Sequence, residues 1–150
     1  MAKLEKKQLQ KEKEERKDNI IITTKLEGIQ KEDKQEVKKK VIEICSNLTG
    51  EQPEIEKITF ISNNRQGFTV IGAKLKNFDQ KIKIMKNKYK LKGSQIYVDD
   101  DLTKEELEIQ KMIRAMAKNE KQKGNEIRIG YRKLCINGKW KKWEELEKQN

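Results

Sequence analysis

The chain has 150 residues, 36 of them Lys or Arg and 25 Asp or Glu, which leaves a net charge of +11, and it contains no histidine. Without an imidazole, His-dependent acid–base catalysis, Ser-His triads and His-ligated zinc are excluded, while the positive excess favours a phosphate-rich partner. Charged residues make up 41% of the chain against 33% apolar, close to the limit for burying enough surface to fold, so part of it is expected as an exposed helix.

Residues 1–18 (MAKLEKKQLQKEKEERKD) mix both charge signs with helix-favouring residues and carry Leu4 and Leu9 as their large apolar side chains after Met1. This reads as a solvated helix, the remnant of a longer coiled coil or a plain charged tail, because two leucines five residues apart do not fill three heptads. Asn19 to Thr24 (NIIITT) is β-branched after its first residue and suits a central strand. Lys31 to Leu48 places Val37, Val41, Ile44, Cys45 and Leu48 on one helical face and ends at Gly50. Past Pro53, Ile55–Ile61 and Phe68–Lys76 alternate around the polar turn SNNRQG and predict a hairpin. A second helix from Asn77 or Phe78 is expected to bury Phe78, Ile82, Met85 and Tyr89 and to stop before Gly93. Gln95–Asp99 follows as a fourth strand.

This order, β-α-β-β-α-β, is the α+β arrangement used by RNA-recognition domains, although sensors, metal chaperones and structural modules share it. Beyond Asp101 the pattern changes. Thr103 and Glu106 form a capping-box pair opening a helix whose apolar stripe is Leu107, Ile109, Met112, Ile113, Met116 and Ala117. Gly124 closes it, and two strands, EIRIGYRKLCIN and KWKKW, flank the hairpin signal Asn137-Gly138. The expected division is therefore a charged N-terminal helix (1–18), an RNA-recognition-like domain (19–100) and a C-terminal α+β domain of helix and β-hairpin (101–150).

Cys45 and Cys135 sit among apolar residues and read as buried structural thiols in a reducing compartment. No apolar run approaches the ~18 residues of a membrane span, and the N-terminus lacks the apolar core of a secretory signal, so a soluble intracellular protein is expected. Asp99-Asp100-Asp101 could suggest Mg²⁺, but neighbouring strand residues point to opposite faces, and acids ahead of a helix complement its dipole; helix entry is the better explanation. The glycines match neither a GxGxxG nor a Walker pattern, so no nucleotide cofactor is expected.

The segment from Thr69 to Gly93 holds eight lysines against one acid, Asp79, and points to a polyanion. Its middle lysines, Lys81, Lys83 and Lys86, are expected to supply a long-range field, the contacts being made elsewhere. In the third strand, Arg65-Gln66-Gly67-Phe68 partly matches the RNA-recognition consensus, but Val70 and Ile21 stand where further aromatics are expected, so Phe68 reads equally as a stacking or a core residue. The terminal hairpin holds Arg128, Arg132, Lys133, Lys139, Lys141 and Lys142 with Tyr131, Trp140 and Trp143, and has no acid between Ile127 and Trp143. Its tryptophans suit either stacking on single-stranded bases or covering the hairpin.

The runs NIIITTKLEGI, KIMKNKYKLKG (Lys83–Gly93), IYVDDDLTKEE (Ile96–Glu106) and GYRKLCINGKW (Gly130–Trp140) resemble the nucleic-acid-binding first-reading-frame proteins of LINE-type non-LTR retrotransposons in their insect form, over roughly Arg16–Trp143. In that family a trimerising coiled coil, an RNA-recognition-like domain and a C-terminal domain follow one another, and the last two clamp single-stranded RNA without catalysis. The resemblance implies a cytoplasmic or nuclear ribonucleoprotein that packages and chaperones RNA, with single-stranded DNA as a further ligand and a homo-oligomer formed through the N-terminal helix. The N-terminal helix here is shorter than the family's. By position it implies phosphate contacts at Arg65, Lys90, Lys92, Arg128, Arg132, Lys133, Lys139 and Lys141, with Phe68 and Trp140 as the candidate stacking residues. Two other readings stay open: a protein-interaction module with a solvated basic surface, and a non-catalytic fragment of a retrotransposon endonuclease and reverse transcriptase polyprotein.

Overall fold

The computed structural model describes residues 2–64 and 66–148, with side chains from Glu5 onward. The chain forms two compact units, Met1–Asp101 and Leu102–Asn150. In the first, α1 (Ala2–Arg16) precedes β1 (Asn19–Thr24), α2 (Lys34–Thr49), β2 (Ile55–Asn63), β3 (Thr69–Leu75), α3 (Phe78–Asn87), a 3-10 turn (Lys88–Leu91) and β4 (Tyr97–Asp100). The four strands pair antiparallel in the order β2-β3-β1-β4, so β1 and β3 are central and β2 and β4 are edges.

Strand alternation builds the core. Ile20, Ile22 and Thr24 of β1 and Thr69, Ile71, Ala73 and Leu75 of β3 point inward, where the apolar members meet Val37, Val41, Ile44, Cys45 and Leu48 of α2. Each large aliphatic side chain buried this way contributes about 1.5–3 kcal/mol. Asp33 starts α2 by accepting from the Glu36 amide, and Gly50, at φ 77°, ends it with its N–H on the Ser46 carbonyl. Cys45 and Cys135 are free and buried, and desolvation pushes the Cys45 thiol up to about 12.

The second helix departs from its expected packing. Lys81 and Ile84 of α3 are buried, whereas Phe78, Ile82 and Tyr89 are exposed and Met85 is half-buried, so the predicted apolar stripe is turned about 100° away from the sheet. The cause is polar. The Lys81 ammonium, 5% exposed as a residue, donates to the Asp100 carboxylate at 2.5 Å and to the Lys17 carbonyl at 2.6 Å. Lys81 is thus a buried ion-pair partner, and the expectation that it supplies a long-range field is corrected.

The three aspartates are corrected likewise. Asp99 and Asp100 lie within β4 and not at a helix entry, and their alternation aims them at separate cations: Asp99 at Lys88 (3.7 Å) and Asp100 at Lys81. Asp101 accepts from Arg16 at 3.1 Å and from Asn19 at 2.9 Å, which ties the end of α1 to the start of β1.

The second unit comprises α4 (Lys104–Gln122), β5 (Ile127–Gly130), β6 (Lys133–Ile136), β7 (Lys139–Lys142) and α5 (Trp143–Lys148). The capping box forms between Thr103 and Glu106 in both directions. Ile109, Ile113 and Ala117 of α4 pack with Leu134, Trp143 and Leu146, while Leu107 and Met112 of the predicted stripe are exposed. The sheet has three strands where the sequence suggests two, because EIRIGYRKLCIN folds back at Tyr131-Arg132, with Arg132 at φ 53°. Asn137 (φ 50°) and Gly138 (φ 83°) make the expected tight turn between β6 and β7. Among the described residues no helix is long and apolar enough to cross a membrane.

Replacing Asp100 by Ala strands the Lys81 ammonium in the core and is expected to cost about 2–3 kcal/mol in urea unfolding, less than for a fully dry pair because Asp100 is 39% exposed. Lys81→Met removes the charge together with its need for a partner, and is expected to cost clearly less; equal losses would contradict the buried-charge account. At pH 8, iodoacetamide is expected to alkylate Cys45 only in denaturant, because burial keeps the thiol protonated and inaccessible. Modification of the folded protein, read by mass spectrometry, would contradict that burial.

Candidate functional site

In the three-stranded sheet of the second unit, register decides which basic residues share a face. Arg128, Cys135 and Trp140 stand opposite one another across the strands, as do Gly130, Lys133 and Lys142. Residues two apart on a strand share a face, so Arg128, Lys133, Trp140 and Lys142 project from the same side. Leu134 is fully buried on the other side against α4. The Lys133 ammonium lies 4.7 Å from the centroid of the Trp140 ring, which is 48% exposed. Gly130 makes room for this pair: a Cβ there would meet the Lys133 side chain at 2.7 Å and the Trp140 ring at 3.2 Å. Cys135 is buried between Arg128 and Trp140. The result is a plate of three cations and one indole, suited to phosphate oxygens and an aromatic face.

The other hairpin candidates fall elsewhere. Lys139 and Lys141 belong to the helix-facing side, Lys139 exposed at the margin and Lys141 half-buried. The Asn125 side-chain amide, then Lys123 and Lys141, hold the Glu120 carboxyl below its usual range. Arg132 occupies the β5–β6 turn and donates to Glu144 at 2.9 Å, which raises its own pKa and lowers that of Glu144. Its backbone is equally committed: the N–H donates to Gln110 Oε1 at 2.7 Å and the carbonyl accepts from Trp143 N at 2.8 Å. Gln110 Nε2 in turn donates to the Gly130 carbonyl at 3.2 Å, and the Tyr131 hydroxyl bonds the Glu106 carboxylate. Arg132 is therefore a structural residue of the turn, while Trp143 sits in the core. Lys142 completes the plate, and strand register is the signal that could have found it.

The first unit offers a second surface, the sheet face opposite α2 and α3, which carries Ile21, Thr23, Val70, Gly72, Lys74 and Tyr97. Phe68 precedes β3 and is half-buried; its ring centroid lies 6.1 Å from that of Tyr97, with the Lys25 ammonium 5.2 Å away on the Phe68 ring. Tyr97, exposed on β4 opposite Thr23, supplies the partner ring absent from Ile21 and Val70. Alternation in QIYVD carries this signal, since an inward Val98 requires an outward Tyr97.

The lysine-rich segment is largely engaged in internal contacts. Lys74 faces Glu56 at 4.0 Å, Lys83 faces Glu51 at 3.1 Å, and Lys90 donates to the Leu48 carbonyl near the end of α2 at 3.2 Å. Among the described residues Lys76, Lys86 and Lys92 have no ionic partner. Arg65 lies outside the described residues. No group of three or more His, Cys, Asp or Glu able to hold a metal occurs among the described residues. Neither a protein-family profile nor a curated protein sequence matches the chain.

Gln110→Ala removes both partners of the β5–β6 turn at a nearly buried position and is expected to cost about 1–3 kcal/mol in thermal or urea unfolding, with faster exchange of the Arg132 amide proton. Gln110→Glu keeps the acceptor for the Arg132 amide and is expected to retain part of that stability; an Arg132 amide unmoved in exchange rate by either change would contradict the clamp.

Proposed function

We propose that this chain is a non-catalytic single-stranded RNA-binding protein of the first-reading-frame type found in LINE-type non-LTR retrotransposons. On this reading the β-α-β-β-α-β unit is an RNA-recognition-like domain and the second unit is its C-terminal companion. The observation that carries the reading is the outer plate of the second unit, where Arg128, Lys133 and Lys142 share a face with the half-exposed Trp140 and the Lys133 ammonium lies on its ring. Cations sharing a face with an exposed indole match a single strand, whose phosphates are regularly spaced and whose bases are free to stack. The strand order β2-β3-β1-β4 and the Lys25–Phe68–Tyr97 cluster on the open sheet face support it from the first unit. Recognition of this kind is dominated by phosphate contacts, with modest sequence preference. Single-stranded DNA satisfies the same chemistry, and the absence of histidine fits a binding role without catalysis.

A protein-interaction role is favoured by one specific feature, the exposed apolar ridge of Phe78 and Ile82 on α3 and Tyr89 on the 3-10 turn that follows it. It would be independent of salt, which separates it from the leading reading.

Fluorescence anisotropy with labelled single-stranded RNA across a salt series tests the proposal. Three or four phosphate contacts predict a log–log slope of about −2 to −3, and a slope near zero would overturn it. Arg128→Glu with Lys133→Glu is expected to weaken binding at least roughly tenfold for every RNA sequence, and Trp140→Ala to cost about 1–3 kcal/mol with the slope unchanged.

A further inference from the structure

We infer that the groove between the 3-10 turn Lys88–Leu91 and the outer edge of β4 binds one unpaired nucleotide of a single-stranded nucleic acid, an inference that rests on the function proposed above. β4 pairs with β1 on one side only, and the groove of about 430 Å³ opens along its other side. That volume falls in the range of sites that enclose a small ligand. Tyr89 and Tyr97, 69% and 53% exposed, both line it, and Lys92 stands with them without an ionic partner among the described residues. Asp99 also lines the groove, but its carboxylate is 3.7 Å from the Lys88 ammonium, so the charge left over is the positive one of Lys92. An anionic, flat, partly apolar ligand fits this lining, and a nucleotide combines those properties: its phosphate pairs with Lys92 and its base stacks on a tyrosine ring.

The groove is built in advance by its own hydrogen bonds. Ser94 Oγ donates to the Leu91 carbonyl at 2.6 Å and accepts from the Ile96 amide at 3.2 Å, while Lys92 N donates to the Tyr89 carbonyl at 3.1 Å. Gly93, at φ 89°, allows the chain to turn sharply between Lys92 and β4. A ligand therefore meets an ordered wall and does not carry the cost of ordering it. Tyr97 also faces Phe68 on the open sheet, so a strand lying on the Phe68–Tyr97 pair continues over the β4 edge into this groove.

The test follows backbone amides of the full chain by heteronuclear NMR during titration with a single-stranded RNA oligonucleotide, a mononucleotide and inorganic phosphate, with anisotropy in parallel. The RNA and the mononucleotide are expected to shift the amides of Tyr89, Lys92 and Tyr97, and phosphate alone those around Lys92. Tyr89→Ala, at an exposed position that leaves folding intact, is expected to weaken RNA binding roughly tenfold with the salt slope unchanged. Lys92→Gln is expected to reduce the slope by about 0.7. RNA binding at full strength with these amides unmoved and Tyr89→Ala indistinguishable from the parent overturns the groove and leaves the proposed function standing. Shifts caused by an extended peptide but by neither nucleotide nor RNA would assign the edge to strand addition and overturn the groove as a nucleotide site. No RNA binding by the parent protein at any salt overturns the proposed function and the groove together.

Discussion

A single buried ammonium organises the first unit. The Lys81 side chain enters the core between α3 and the sheet, where it is held by the Asp100 carboxylate on β4 and the Lys17 carbonyl between α1 and β1. Three stretches of chain distant in sequence are thereby required to meet at one point. A buried charge without partners costs several kcal/mol, so the arrangement discriminates against alternatives more than it adds net stability. It also fixes the rotation of α3 about its axis. With Lys81 and Ile84 turned inward, Phe78, Ile82 and Tyr89 cannot also reach the core, and the apolar ridge on the surface follows directly from the ion pair.

The second unit solves a comparable problem with a neutral group. Gln110 on α4 offers one acceptor and one donor, and the β5–β6 turn uses both, at the Arg132 amide and the Gly130 carbonyl. That clamp compensates for the left-handed backbone of Arg132, a conformation that costs a non-glycine residue about 1–2 kcal/mol. Once the turn is held, strand register places Arg128, Lys133, Trp140 and Lys142 on one face with no further instruction. The proposed binding surface is thus a consequence of how the hairpin is anchored from behind.

Charge density alone gave a misleading ranking of the basic segments. The segment with most lysines, Thr69–Gly93, spends many of them on Glu56, Asp100, Glu51, Asp99 and the Leu48 carbonyl. The terminal hairpin has fewer cations and no acid between Ile127 and Trp143, and only Arg132 is drawn into an ion pair there among the described residues. What matters for attracting a polyanion is the charge left unneutralised on a shared face.

The order of elements in the first unit, the alternation in β1 and β3, the α2 face, the capping box at Thr103 and Glu106, and the Asn137-Gly138 turn were all legible in the amino-acid sequence, because each depends on residues within a turn or two of one another, whereas the third strand and the closing helix of the second unit were not. The rotation of α3, the separate duties of the three aspartates, the commitment of Arg132 to Glu144, and the pairing of Tyr97 with Phe68 were decided only by tertiary structure. Apolar periodicity assigns the helix face richest in carbon to the core, and it has no means of weighing a lysine whose partner lies 19 residues away on strand β4. Local rules settle what a segment becomes; the matching of buried charges and hydrogen-bonding groups across the fold settles which side of it faces inward, and so which residues remain outside to bind.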